Sequence, residues 1–490
     1  MARGERSTSA FVVAFKAACI AAMVCTPLFG VWIASSLAAF ANRATWLPVV
    51  CGLLLFPGLP LAWDGFAALR LRGVAGGAKR RFLTFSDRLI LRTLAINVFF
   101  LVVLLAAFPS RAFVALSTRG DWMLDGHHGA AAERTRSALL GCAGGLEWLY
   151  RASRDNPYRQ EGSDDASPQP TPVPTASAAP APLPAASAEA PPSPMPTTTP
   201  SPTYPWPATL HPVVANMPKE VEVSIESVGK YIQEREPDPM SRVKALHDWV
   251  ADRVAYDAPA YAARNIPREA GDAQHVFRSR VGVCAGYAKL LAALGKVTGD
   301  EILYVVGDAR SQDAPMEGES HAWNAARIGA AWYLIDATWN AGSVNGASFQ
   351  KRYQTEYLFT PPELFAVTHF PDAPKWQLLE RPLSRVEFFR RPVLAPAFFA
   401  HGLELVAPDR SQVTTAGSIE LSIKNPRGVF LLADYAPKTG GARVECAGNR
   451  HTTMRCDFPA AGTYDVRLYA NHERYGTYAY AGAVQVNARP

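Results

Sequence analysis

Three long apolar runs fill the first quarter of the chain, a proline-rich polar stretch occupies the middle, and helical and then alternating patterns fill the rest. Ala17 to Ala41 is uncharged and mostly apolar, long enough to cross roughly 30 Å of hydrocarbon as a helix. Trp46 to Trp63 is a shorter second span holding Pro48, Pro57 and Pro60, which membrane helices tolerate better than soluble ones. The third, Leu89 to Phe108, carries Arg92 near one end and Val102 to Leu105 in its middle. Between the second and third runs lie Arg70, Arg72, Lys79, Arg80, Arg81 and Arg88, opposed by Asp64 and Asp87, so the positive-inside rule puts this loop in the cytoplasm. Arg3, Arg6 and Lys16 agree with a cytoplasmic N-terminus, and three spans then place everything that follows outside. The competing readings are buried soluble helices and a cleaved signal peptide, the latter disfavoured because the first run exceeds an apolar region of about 7–15 residues.

From Ala166 to Pro218 only Glu189 is charged, and Pro, Ala, Ser and Thr dominate. Such a segment has no core to form. Its prolines favour an extended spacer with a rise of about 3.1 Å per residue, on the order of 100 Å in all. Between the spans and this spacer, residues 111–160 carry one helical pattern, Ala138 to Arg151, and His127 and His128 read as loop. After the spacer, Met240, Val243, Leu246, Val250 and Val254 recur at helical spacing behind Asp238 as N-cap and Pro239 as first helical residue. A second helix is predicted to begin at Cys284, with Tyr287, Leu290, Leu291, Leu294 and Val297 as its apolar face and Gly282 permitting a tight approach.

At 490 residues the chain is too long for one domain of the usual 100 to 200 or so. A net charge of +6 is mild at this length and gives no case for nucleic-acid binding. The seven cysteines are scattered and show no CxxC pair of a zinc site.

Cys284 has the position that carries chemistry. A thiol at a helix N-terminus feels the positive end of the macrodipole, which favours thiolate, and its backbone amide suits an oxyanion hole. The base is sought in HAWNAARIGAAWYLIDATW, His321 to Trp339, where two strand-like runs flank a turn. A two-residue loop at Gly329 and Ala330 of type II′ pairs Ile328 with Ala331. Extending that register sets His321 opposite Thr338 and Trp323 opposite Asp336, so Asp336 lies diagonally beside His321 on the same face. Thiol, imidazole and carboxylate then supply nucleophile, base and orienter for acyl transfer.

The blocks WVADRVAYD, VGVCAGYAKLLAAL and ESHAWNAARIGAAWYLIDATW together resemble the transglutaminase-like superfamily, whose core pairs a helix-capping cysteine with His and Asp on neighbouring strands. YLFTPPELFAVTHFPDAPKWQLL, Tyr357 to Leu379, is similar to the kyphoscoliosis peptidase branch. The resemblance covers about Val221 to Leu379 and implies Cys284 as nucleophile, His321 as general base and then acid, and Asp336 as orienter. Trp323, Asn324, Tyr287 and Trp339 match the motif as well. With Tyr256 they supply the substrate-binding and oxyanion candidates: Tyr256, Tyr287, Trp323 and Trp339. Ala285 departs from the acidic or polar residue that relatives often carry after the cysteine. The implied chemistry uses neither cofactor nor metal.

From about Pro396 short runs such as SIELSIK, GVFLLADY and TYDVRLYAN alternate with turns, which reads as a β-sandwich. Cys446 and Cys456 flank a hairpin around Gly448 to His451 and suit a disulfide outside the cytoplasm.

The expected fold class is therefore multi-domain: N-terminal transmembrane helices, an α+β transglutaminase-like (papain-like) core and a C-terminal all-β immunoglobulin-like sandwich. The expected boundaries are 1–110 for a three-span anchor, 111–165 for a juxtamembrane segment, 166–218 for the linker, 219–390 for the catalytic domain and 396–490 for the sandwich. The functional expectation is a multi-pass protein of the inner cell membrane whose extracytoplasmic, periplasmic domain attacks peptide or protein amide bonds through a thioester, more a peptidase or amidase than a crosslinker. Its partners would be a peptide or protein substrate and an envelope or wall component bound by the β-domain, with no nucleic acid. The alternative is a non-catalytic transglutaminase-like scaffold or binding module in the cell envelope.

Overall fold

The computed structural model describes residues 10–72, 84–127, 129–154, 156–159, 204–311 and 318–489. Lys79, Arg80, Arg81, His128 and residues 166–203 of the expected spacer lie outside these. The described residues form two compact units, one of 10–154, 310–311 and 384–489, the other of 156–309 and 318–383.

The first unit opens with α1 (Ala10–Phe40), α2 (Trp46–Arg72) and α3 (Phe85–Ala107). Thr84 starts α3 through a capping box with Asp87. All three helices contain stretches long and apolar enough to cross a membrane, of 27, 24 and 23 residues. Val24, Leu28, Leu53, Leu54, Phe99 and Val102 are exposed on them, an apolar surface suited to lipid rather than water. Next come α4 (Pro109–Arg119), α5 (Ala130–Gly144) and α6 (Glu147–Ser153). The helix expected over 138–151 is thus two helices, parted at Gly144 and Gly145, where the backbone has least to lose by leaving the helix.

The second unit contains α7 (Pro212–Ala215), α8 (Ile225–Arg235), α9 (Pro239–Arg253), α10 (Ala258–Ala262), α11 (Ala273–Ser279) and α12 (Cys284–Thr298). The Asp238 side chain caps α9 through the Ser241 amide, with Pro239 in the first turn as predicted. Two-residue strands β1 (Ala255–Tyr256) and β2 (Val281–Gly282) pair in parallel and place Tyr256 beside Gly282. The main sheet is antiparallel and uses β3 (Glu301–Ala309), β4 (Glu319–Ile328), β5 (Ala331–Ile335), β8 (Leu358–Thr360) and β9 (His369–Pro371), in the order β8-β5-β4-β3-β9. β6 (Gly342–Asn345) and β7 (Ser348–Lys351) form a separate hairpin, and α13 (Pro362–Thr368) leads into β9. Helix α12 lays Tyr287, Leu290, Leu291 and Leu294 into the core, all fully buried, against Val228, Ile232, Leu246 and Trp249. Each such side chain contributes roughly 1.5–3 kcal/mol on burial.

The expected linker ends early among the described residues. Val214 and Met217 are buried in the second unit's core, Trp206 packs against it, and Tyr204 donates to the Glu356 carbonyl at 3.1 Å. Sparse charge alone had drawn the boundary at Pro218, whereas these few apolar side chains are enough to dock the segment.

The C-terminal part of the first unit is a β-sandwich. One sheet runs Val393–Leu394, Ala479–Arg489, Gly462–Asn471, Phe430–Pro437, Val444–Glu445, with Gln412–Ala416 parallel to Ala479–Arg489. The other runs Glu404–Ala407, Ser418–Lys424, Thr453–Asp457. Cys446 and Cys456 are disulfide-bonded, their Cα atoms 4.4 Å apart. The sandwich begins before the expected Pro396, because Val393–Leu394 already pairs with its last strand.

Candidate active site

Cys284 is the first residue of α12 and is 1% exposed. The preceding Val283 offers no side-chain cap; its carbonyl accepts from the Gly286 and Tyr287 amides at 2.8 and 3.1 Å, and no side chain at that position reaches the Cys284 and Ala285 amides. The approach needs glycine twice. A Cβ on Gly282 would lie 2.6 Å from Val276 Cγ2, and one on Gly286 would lie 2.5 Å from the Ala270 carbonyl oxygen. Ala285 sits buried in the same small-residue contact, its Cβ 3.4 Å from where a Cβ on Gly271 would fall.

His321 lies on β4 directly across from Gly307 of β3. Its Nε2 donates to Asp336 Oδ2 at 2.8 Å, and Cys284 lies near enough to influence the charge of the ring. The hairpin has the predicted register, Ile328 with Ala331, and Gly329 has φ +62° at its first central position. The ladder stops sooner than expected. β5 ends at Ile335, so the extension to Trp323 with Asp336 and His321 with Thr338 is not a strand pairing. Asp336 instead turns the chain: its amide donates to the Tyr357 carbonyl at 2.8 Å, and its Oδ1 accepts from the Thr338 and Trp339 amides at 2.8 and 3.2 Å.

Burial opposes charge on both partners, but each overcomes it through the other. Asp336 is held well below the usual carboxylate range by His321, helped by His369. At His321 burial again disfavours the cation, and Asp336 with Cys284 beyond it prevails, raising the ring to about 10. The imidazolium therefore contributes stability that is complete below the ordinary histidine value and is lost as pH rises through about 10. The Asp336 contribution runs the other way, lost as acid protonates the carboxylate.

The remaining predicted residues divide. Tyr256 packs against the cluster around Cys284, and Trp339, half-buried, sets its ring 5.5 Å from His321, so both line the site. Tyr287 and Trp323 do not. The Tyr287 hydroxyl donates to the Val254 carbonyl at 2.7 Å on the core side of α12, and Trp323 is buried against His321, His369 and Phe365. Both rings fill core space against the helix and the sheet, a use that residue type alone does not distinguish from lining a site. Asn324 is likewise a strut, donating to the Ala288 and Leu303 carbonyls at 2.9 and 3.1 Å.

Three features escaped the sequence reading. His369 reaches the same Asp336 oxygen as His321, at 3.1 Å; its only signal was its place in the segment resembling the peptidase branch. Buried His247, Asp248 and Lys244 form a polar network with half-buried Tyr353 behind the Asp336 turn. Asn340 Oδ1 accepts from the Tyr357 amide at 2.9 Å, so its Nδ2 donates to His247 Nε2, also 2.9 Å away. That fixes the His247 tautomer with Nδ1–H donating to Asp248 Oδ1 at 2.9 Å. The third feature is Tyr158, from the stretch before the spacer, which packs against the small cluster that holds Cys284. Its carbonyl accepts from Tyr304 at 2.8 Å, and neighbouring Arg159 pairs with Asp372 at 2.6 Å. Tyr158→Ala is expected to speed alkylation of Cys284 by iodoacetamide about fivefold, about 1 kcal/mol of barrier, as the packing around the sulfur opens. An unchanged rate would mean that the tyrosine does not shield the sulfur.

His321, Asp336 and His369 offer ligand atoms within 4.8 Å of one another. Two ring N–H groups aimed at one carboxylate oxygen account for that convergence without a cation.

Residues 226–337 match the transglutaminase-like superfamily, and residues 385–489 match the KY-like, immunoglobulin-like domain. Kyphoscoliosis peptidase of Mus musculus is 31% identical over 264 residues, 51% of this chain and 39% of that protein. Its Homo sapiens counterpart is 31% identical over 197 residues, 39% of this chain and 29% of that protein. A Lim and transglutaminase domain protein of Caenorhabditis elegans is 25% identical over 218 residues, again 39% and 29%. The chain matches well under half the length of these relatives. It carries a transglutaminase-like domain followed by a KY-like immunoglobulin-like domain, behind three apolar helices.

Proposed function

We propose that the transglutaminase-like domain is a cysteine enzyme acting on peptide or protein amides, more a peptidase or amidase than a crosslinker, held outside the cytoplasm by its N-terminal helices. The observation that carries this reading is Cys284 buried at the N-terminus of α12 beside His321, whose ring is tied to Asp336 at 2.8 Å. On this reading, the sulfur gives its proton to His321 and attacks the amide carbon. The C–N bond then breaks, His321 protonates the departing amine, and a thioester to Cys284 remains. Water, or an amine, releases the acyl group as His321 takes up its proton. Asp336, loaded with hydrogen-bond donors, keeps the ring oriented throughout. The backbone amide at the start of α12 is the nearest oxyanion donor, with Tyr256 beside it.

The peptidase branch among the relatives supports hydrolysis over transfer. The exterior placement rests on the basic residues between α2 and α3 and on the three apolar helices. The test offers the detergent-solubilised full chain glutamine-containing peptides with and without a primary amine, products being read by mass spectrometry. Cleaved or deamidated peptide is expected in both arms, and it is expected to vanish in Cys284→Ser. Amine adduct as the main product would make the domain a crosslinker. No product from a folded protein, with Cys284→Ser rescuing cells as well as the parent, would leave a scaffold.

A further inference from the structure

We propose that His369 is a positioning residue of the same site, a neutral second donor to Asp336 that sets how strongly the carboxylate pulls on His321. This rests on the acyl-transfer reading of Cys284 and His321 and adds a fourth member to it.

The argument begins with strand order. β3 separates β4, which carries His321, from β9, which carries His369, so the two backbones stand two strand spacings apart, about 9–10 Å. Their ring centroids nevertheless lie 5.5 Å apart. The intervening strand makes this possible by having almost no side chain there. Gly307 pairs with both His321 and Pro371, and Ala309 pairs with both Glu319 and His369. A Cβ on Gly307 would fall 2.2 Å from the Phe370 carbonyl oxygen and 2.7 Å from the Trp323 ring.

His369 is held on every side. It is 1% exposed, stacks on Phe365 with centroids 4.0 Å apart, and meets Trp339 at 4.6 Å and Trp323 at 5.1 Å. Its Nε2 lies 3.1 Å from Asp336 Oδ2 and its Nδ1 lies 2.9 Å from the Thr368 hydroxyl. A carboxylate only accepts, so Nε2 bears the proton, and in the neutral ring Nδ1 accepts from Thr368. The titratable groups facing this corner are Asp336, His321 and, beyond it, Cys284, with Tyr357 packed against the ring. Burial keeps His369 uncharged, lowering it to about 4 against the pull of Asp336.

Two rings thus share one oxygen with different charge states. A carboxylate that accepts a further hydrogen bond is a weaker base toward its first partner. His369 therefore moderates His321, easing release of the proton that the leaving amine requires, and prevents Asp336 from swinging off the ring.

The experiment reads alkylation of Cys284 by iodoacetamide against pH in the full chain, so no substrate is needed. His369→Phe keeps the stacked ring and removes the donor; His369→Gln restores an N–H. The upper limb of the profile is expected to move up by about one pH unit in His369→Phe, as for one lost charge-assisted hydrogen bond, and to return most of the way in His369→Gln. Thr368→Val, which frees the tautomer without touching the ring, is expected to shift the limb the same way by less, and it serves if the Phe variant does not fold. A packing role would lower the amount of folded protein and leave the limb in place. Identical profiles for parent, Phe and Gln variants would overturn the proposal. His321→Ala run alongside separates the two readings: if it leaves alkylation unchanged, the acyl-transfer reading has failed rather than this one.

Discussion

Replacing His321 with alanine is expected to slow alkylation of Cys284 at neutral pH by about 10²–10⁴, the range that a positioned general base supplies. The sulfur is buried at the start of α12, and the ring beside it is in turn tied to Asp336 at 2.8 Å. Removing the ring leaves the thiol among Tyr158, Tyr256 and Tyr304, whose hydroxyls take no proton at that pH. The rate should be measured by intact-mass spectrometry, with hydrogen exchange of the α12 amides verifying the fold. A variant that is folded and labels as fast as the parent would remove His321 from the chemistry. Asp336→Asn is expected to fall between the two, because an amide still orients the ring but offers no charge to the imidazolium.

The second large effect is on stability. Asp248→Ala is expected to destabilise the transglutaminase-like unit by about 3–5 kcal/mol, the cost of stranding a buried partner charge. Lys244 and Asp248 are both buried and paired, and Asp248 also accepts from Tyr353 at 2.6 Å and from the His211 amide at 2.8 Å. Burial would raise the Asp248 carboxyl, yet His247 and Lys244 hold it below the ordinary range. Without it Lys244 keeps only the Thr209 carbonyl and the Tyr353 hydroxyl, at 2.9 and 3.3 Å. The melting temperature of the unit should fall by about ten degrees, at about 2–4 °C per kcal/mol for a domain of this size. The double variant Lys244→Met with Asp248→Leu should recover most of the loss. A single variant melting within two or so degrees of the parent would show the network to be dispensable. His247 and Asn340 link this network to the Tyr357 amide, and the Tyr357 carbonyl receives the Asp336 amide, so the same change should also loosen the site.

Local information sufficed wherever one element carries the signal. The apolar runs gave α1, α2 and α3, the Asp238–Pro239 pair gave the start of α9, and the face of Tyr287, Leu290, Leu291 and Leu294 gave α12 with Cys284 at its tip. The Gly329 turn gave the β4–β5 register as far as Asn324 with Ile335, whereas Asp336 meets His321 from a turn beyond the ladder. Each of these depends on a period or a turn that neighbouring residues define.

What the sequence by itself determined is therefore the three apolar helices, the two further helices, the hairpin turn and the three polar groups of the candidate site. Only the tertiary structure decided what surrounds them. Tyr158 packs beside Cys284 from more than a hundred residues away, and His369, across β3 at the Ala309 register, shares the Asp336 oxygen. Tyr287 and Trp323, equally prominent in the motif, turn into the core. The physical reason is that a periodic pattern records which face of an element avoids water. Which distant side chain fills the space beyond that face depends on strand order and on the absence of a Cβ at one position, and neither is written in the residues nearby.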